Sequence, residues 1–272
     1  MTNGIDVSKH NGVINWQKVK ASGKVDFAIL RAGLGKLASQ KDTQFEANYK
    51  GCTANGIPCG AYWYSYAMSE AEARQEADAF LAVIKGKQFD MPVYYDVEEQ
   101  KQFALGREKI SAIIRAFLER VESAGYYVGL YGSSSSLKTY TAEDIKSRYT
   151  IWLAHWVNQT NYTGYYHMWQ YGIGKGIPGI SGDVDVNHCY QDFPAIIRAN
   201  GLNGFPKQEK PTAQETAPET APETAQPTAP QLPYIPSMTA ADVQTYLAWC
   251  AAKGAGKYPD SAEGFAGFLN EN

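Results

Sequence analysis

The sequence predicts an α/β fold: a small closed barrel of strands and helices whose last helices are reduced or missing. A flexible Pro/Thr/Glu-rich linker and a small helical C-terminal piece follow it. Three observations carry this expectation. Short apolar runs alternate with stretches of helical periodicity, which implies a parallel sheet with helices packed outside it. About eight such runs fall in roughly the first 200 residues, enough strands to close a barrel. The composition then changes abruptly near residue 205.

Taken in order, residues 4–8 read as the first strand and 15–20 as a helix closed near Gly23. Residues 26–32 (DFAILRA) form the second strand, followed by a helix through Phe45, Tyr49 and Cys52. Residues 59–66 (CGAYWYSY) are the third strand. Ser69-Glu70-Ala71-Glu72 opens a helix whose apolar face holds Ala73, Ala77, Phe80, Leu81 and Ile84. The fourth strand spans 92–98. A helix over 108–124 then presents Ile110, Ile113, Ile114, Phe117, Leu118 and Val121 on one face. Residues 127–132 are the fifth strand. Beyond it the helical signal weakens, and 150–156, 165–171 and 183–187 read as strands joined by loops.

The large domain therefore covers residues 1–204. Residues 205–235 repeat Thr, Ala, Pro and Glu with almost no large apolar side chain, and cannot bury enough surface to offset their ordering entropy. They read as an extended, semi-rigid linker. In 236–272, Thr239-Ala240-Ala241-Asp242 starts a helix, with Val243, Tyr246, Leu247 and Cys250 on one face. Phe265, Phe268 and Leu269 mark a second short helix. Two such helices make too small a core to stand alone. The tail reads equally as a binding or oligomerising module and as an appendage docked on the barrel.

Four of the 25 basic and eight of the 28 acidic residues lie after position 204, leaving the large domain with 21 and 20. A net charge of -3 excludes the basic footprint of a nucleic-acid binder. No apolar run is long enough to insert in a membrane. Cys52, Cys59, Cys189 and Cys250 have neither CxxC nor zinc spacing, so they read as buried thiols, and no metal or cofactor is expected. Met1-Thr2-Asn3-Gly4 lacks the basic and apolar regions of a conventional secretory leader.

The most informative run is Met91-Pro92-Val93-Tyr94-Tyr95-Asp96-Val97-Glu98-Glu99. Alternate residues on a strand share a face, so Asp96 and Glu98 point the same way, with backbones ~6.5–7 Å apart. Their carboxyls then fall within the ~5–9.5 Å window used by paired acids that cleave glycosidic bonds. Two acids this close cannot both ionise cheaply, which holds one protonated near neutral pH. Both lie at the end of the fourth strand, where barrels place their chemistry.

These residues recur in a wider pattern: Gly4-Ile5-Asp6-Val7-Ser8, Gly60-Ala61-Tyr62, Tyr95-Asp96-Val97-Glu98, Gly129-Leu130-Tyr131, Ile151-Trp152-Leu153-Ala154, Trp169-Gln170-Tyr171 and Val184-Asp185-Val186-Asn187. In that order they resemble the glycoside hydrolase family 25 muramidases of phage endolysins and bacterial autolysins, over residues 1 to about 198. The resemblance implies a small TIM-like barrel and a lysozyme that cuts the β-1,4 bond after N-acetylmuramic acid in bacterial peptidoglycan, with retention. It implies Glu98 as general acid and Asp96 as its assisting carboxylate, either helping the substrate's 2-acetamido group or attacking directly. Asp6 and Asp185 match the family's two further acids, which would tune and orient that pair. Arg31, Tyr62, Tyr131, Trp152 and Trp169 are the expected substrate-binding residues. Without a leader, the chain would be made in the (host) cytoplasm and reach the wall by holin-type release or unconventional export, with the tail as a module that binds the cell wall or self-associates.

Competing readings exist. Arg31 reads equally as an ion-pair partner that closes the barrel. Tyr64, Tyr66 and Trp156 read as core, Glu99 as turned out of the pocket, and the four histidines as surface or structural. Asp183, beside Asp185, is an extra acid outside the Asp-x-Asn pattern. A chitinase-like glycosidase also uses Asp-x-Glu at strand four, but the longer acid-rich motif of those enzymes is absent. A non-catalytic glycan-binding barrel would have lost an acid, and all four are present.

Overall fold

The apolar runs become the staves of a closed barrel. The computed structural model describes residues 1–207, and the linker and tail expected over 205–235 and 236–272 lie almost wholly outside the described residues. In chain order the elements are β1 (Thr2–Val7), α1 (Trp16–Ala21), β2 (Phe27–Leu34), α2 (Phe45–Ala54), β3 (Cys59–Tyr64) and α3 (Glu70–Ile84). Then come β4 (Val93–Asp96), α4 (Gln100–Phe103), α5 (Arg107–Glu122), β5 (Val128–Ser133), α6 (Ser134–Thr139) and α7 (Glu143–Arg148). β6 (Thr150–Ala154), β7 (Met168–Gly174), β8 (Val184–Cys189) and α8 (Phe193–Ala199) complete the described chain. The strands close in sequence order, with β8 back against β1.

The last helices are indeed reduced: no helix separates β6 from β7, or β7 from β8. One expectation fails here. β8 runs antiparallel to both β7 and β1, so the sheet is not wholly parallel. A parallel return needs a crossover, usually a helix, and segment 175–183 contains none; reversing direction needs only a loop. Four helices were also not anticipated as such. The four-residue α4 carries too little periodicity to read, while α6 and α7 fill the weak stretch after β5. α8 begins at Phe193-Pro194, where the Asp192 side chain accepts from Ala195 N and proline fits the first turn.

The long helices form as their patterns predict. Ser69 caps α3 by accepting from Glu72 N at 3.3 Å, and Glu70 and Glu72 meet the positive end of the helix dipole. α5 buries its apolar face, including Ile110, Ile113, Ile114, Phe117, Leu118 and Val121. Two core layers result. Outside the sheet, Tyr95 stacks on Phe117 at 3.8 Å between centroids, and Phe117 meets Phe80 at 5.9 Å. Inside the barrel, Trp152 packs on Tyr94 and Tyr131 at 5.2 and 4.5 Å.

Two glycines of the sequence motifs have a steric cause. A Cβ at Gly60 would strike the Pro92 carbonyl, and one at Gly129 would strike Thr150 and Tyr94. At the opposite end from the site, Asn203 adopts φ 53° and is fully buried. Its Oδ1 accepts from Tyr127 N at 2.7 Å, and its Nδ2 donates to the Phe89 and Met91 carbonyls. These bonds fasten the chain after α8 to the entrances of β4 and β5. Cys52, Cys59 and Cys189 are buried free thiols; Cys250 lies outside the described residues.

Candidate active site

The fourth strand delivers its acids in two different ways. β4 ends at Asp96, so Glu98 is not on a regular strand as expected but in the loop leading to α4. The alternation nevertheless survives: Asp96 is buried inside the barrel, Val97 is buried outside it, and Glu98 returns to the mouth. Asp96 is 4% exposed and its Oδ1 has no hydrogen-bond partner among the described residues. Glu98 opens onto a groove of about 640 Å³ lined by Tyr131, Ser133, Lys138, His155 and Trp156.

Asp6 and Asp185 arrive from neighbouring strands and sit directly opposite each other in the antiparallel β1–β8 register. Because β8 runs backwards, Asp185 is near its start, which lies at the same barrel end as the last residues of β1. Cross-strand partners have Cβ atoms about 4.5–5.5 Å apart, so the two carboxyls share one patch. Asp6 Oδ2 accepts from Gln170 Nε2 at 3.0 Å and Asn187 Nδ2 at 2.8 Å. Asn187 Oδ1 in turn accepts from Trp152 Nε1 at 2.8 Å. Gln170 Oε1 receives Tyr131 Oη and Trp156 Nε1, each at 2.9 Å. Five strands are thereby linked around the acids. Asp183 is exposed and takes no part.

Four acids in one low-water patch hold protons more tightly than usual. Burial, then Asp185, lifts Asp6 to about 7. Burial, then Glu98 and Asp6, pushes Asp96 well above the carboxylate range, with the Arg31 charge opposing. Glu98 is raised by burial and by Asp185, against a lowering contact from Tyr131; burial also raises Asp185. Tyr131 has one proton to offer either Gln170 or Glu98. An ionised Glu98 draws that proton, while a protonated Glu98 leaves it on Gln170.

The expected binding residues divide. Tyr62, Tyr131 and Arg31 border the acids. Arg31 Nε also pairs with Asp42 Oδ2 at 2.7 Å, while its Nη2 has no partner among the described residues. The alternative of an ion pair and the expected place beside the acids are thus both realised. Trp152 is a correction: at 1% exposure it is the floor beneath the acids, in edge contact with Tyr62 and Tyr131, and offers no face to a ligand. Trp169 is another. Gln170 faces inward, so its neighbour points outward, packing on Tyr171 and His188 with its indole N–H on the His155 carbonyl.

Trp156, read as core, is instead 54% exposed in the groove, and Tyr66 is also exposed. Glu99 does not turn away freely: Tyr64 Oη donates to it at 2.9 Å. His155 lines the groove, with its Nδ1 2.8 Å from Thr160 Oγ1. Two site residues that the pattern of acids does not mark, Gln170 and Asn187, lie inside the Trp169-Gln170-Tyr171 and Val184-Asp185-Val186-Asn187 motifs. Period-two alternation from Asp185 places Asn187 on the same face, a signal that was available. Among the described residues, no cluster of His, Cys, Asp or Glu has the grouping to hold a metal ion.

Residues 5–180 match the model of the glycosyl hydrolases family 25. The chain belongs to that family. It is 31% identical over 198 residues to lysozyme M1 of Streptomyces globisporus, covering 68% of this chain and 66% of that one. The family 25 barrel also superposes on the bacterial lysozyme of Streptomyces coelicolor, with TM-score 0.62, 29% identity and coverage of 70% and 92%. It matches the modular autolysin LytC of Streptococcus pneumoniae, in complex with a synthetic peptidoglycan ligand, with TM-score 0.62, 31% identity and coverage of 68% and 46%. The chain thus spans just under two thirds of lysozyme M1 and less than half of that autolysin.

Proposed function

We propose that this chain is an N-acetylmuramidase that cleaves the β-1,4 bond between N-acetylmuramic acid and N-acetylglucosamine in peptidoglycan with retained configuration. The observation that carries the reading is one carboxyl, Glu98, open to a groove and grouped with three further acids, its proton affinity raised by burial and by Asp185. Membership of family 25 and the lysozyme and autolysin names of its relatives support the same substrate.

In this reading Glu98, on the groove side, protonates the leaving oxygen. Asp96 lies below and faces the positive charge that develops at the anomeric carbon. The protons of so close a set belong to the cluster rather than to single residues. Positive charge growing beside Asp96 favours its ionised form and leaves the proton on Glu98. Arg31, which opposes the upward push on Asp96, assists that ionisation. Asp6 and Asp185 act at one remove by setting the proton affinity of the pair. Ionised Asp96 either stabilises the intermediate formed when the 2-acetamido oxygen attacks the anomeric carbon or attacks that carbon itself to form a glycosyl ester. In each case the leaving oxygen departs with the Glu98 proton, water later opens the intermediate, and the configuration is retained.

The test is mass spectrometry of Gram-positive peptidoglycan digested by wild type and by Glu98→Gln. Reducing-end N-acetylmuramic acid from wild type alone supports the assignment. Equal digestion by the variant moves the acid elsewhere, and digestion by neither favours a glycan-binding protein.

A further inference from the structure

Behind β4, away from the groove, lies a buried polar network that the proposed chemistry does not use. Glu76 of α3, Tyr95 of β4, Ser65 just past β3 and Gln102 of α4 are all fully buried. Tyr95 Oη donates to Glu76 Oε2 at 2.7 Å, and Tyr66 N donates to Glu76 Oε1 at 2.8 Å. Ser65 Oγ lies 2.7 Å from Tyr95 Oη. Gln102 Nε2 donates to Ser65 Oγ at 2.8 Å and to the Ala67 carbonyl at 2.9 Å. Ala67 N also donates to Ser65 Oγ, at 3.2 Å.

The proton directions follow from this count. Ser65 Oγ accepts twice, so its own proton goes to Tyr95, and that of Tyr95 goes to Glu76. The chain ends on a carboxylate that forms no ion pair among the described residues, and Gln102 Oε1 has no partner there. Buried polar groups left this way cost stability, and apolar side chains would fill the same space more cheaply. What the network achieves is placement. Ser65 N donates to the Asp96 carbonyl at 2.9 Å, so Ser65 holds the strand end through its backbone and α4 through its side chain. Between the strand end and the start of α4 lies only the segment 97–99.

We infer that Glu76, Tyr95, Ser65 and Gln102 are positioning residues that fix Glu98 at the mouth of the barrel, by tying both ends of its loop to one serine. The inference rests on the reading of Glu98 as the acid, since a misplacement of ~1 Å costs about 100-fold in rate. None of the four lines the groove, so binding is expected to stay intact when the network is cut.

The experiment uses the full chain carrying Gln102→Leu or Ser65→Ala. Ser65→Ala, which removes one hydroxyl, carries the test where Gln102→Leu does not fold. The first readout needs no turnover: the Glu98 carboxyl is titrated by NMR in δ-13C-glutamate protein and assigned with Glu98→Gln. Its raised midpoint, due to burial and Asp185, is expected to move towards that of ordinary glutamate by at least about half a unit. The second readout is kcat on peptidoglycan, expected to fall at least tenfold with KM within twofold. An unmoved midpoint in both variants overturns the inference whatever the activity, as does a loss confined to KM. A wild type that digests nothing overturns the muramidase reading, and the titration still decides the positioning.

Discussion

Replacing Asp6 by asparagine is expected to stabilise the barrel, and only above acidic pH. Asp6 is 7% exposed, and both of its hydrogen bonds arrive at one oxygen, Oδ2, from Gln170 and Asn187. An asparagine carbonyl at that position accepts the same two bonds, so the substitution removes the charge and little else. The sign follows from the direction of the shift. An acid whose proton affinity is raised on folding carries no penalty below its unfolded value. The penalty grows as pH rises towards its folded value and then levels. At ~1.4 kcal/mol per unit, a rise from 3.8 to about 7 amounts to about 4 kcal/mol. Asp6→Asn therefore gains under about 1 kcal/mol at pH 4 and up to about 4 kcal/mol at pH 8. The assay is urea denaturation of wild type and variant at unit steps from pH 4 to pH 8. A pH-independent difference, or a variant less stable at pH 8, would refute the argument that Asp6 is held against its charge. The variant also takes a like charge away from Asp96, whose proton affinity is expected to fall. In the muramidase reading, the pH–rate profile moves to lower pH.

Four further outcomes are expected. Trp156→Ala raises KM severalfold with stability changed by less than about 0.5 kcal/mol, because the indole is exposed. Trp152→Ala, at a fully buried floor, loses about 3–5 kcal/mol by denaturation, and equal losses for the two would show that the floor and wall are misassigned. Asn203→Ala gives up three side-chain bonds at a positive-φ site and is expected to cost about 2–4 kcal/mol; Asn203→Gly, which suits that φ, recovers part of this. Deleting residues 207–272 is expected to spare cleavage of soluble glycan fragments, measured by reducing-end release. Its loss would sink the idea that the tail is a separate module.

What could be read from the chain alone follows from local rules. Apolar runs of strand length alternating with helical faces imply a parallel sheet covered by helices, and eight of them in about 200 residues are enough to close it into a barrel. Period-two alternation placed Asp96 with Glu98, and it would have placed Asn187 with Asp185. Tertiary structure decided the rest. Which face of a strand looks inward depends on how the sheet closes, and no local pattern reports it; hence Trp152 became floor, Trp169 outer wall and Trp156 groove. The reversal of β8 depends on the missing helix between β7 and β8, and it brings Asp185 opposite Asp6 across a sequence gap that no motif bridges. The bonds of Gln170 to Asp6, and of Glu76 to Tyr95, likewise join residues whose partners exist only after closure. A carboxylate's position along the chain is local information, but its proton affinity is set by neighbours the fold supplies.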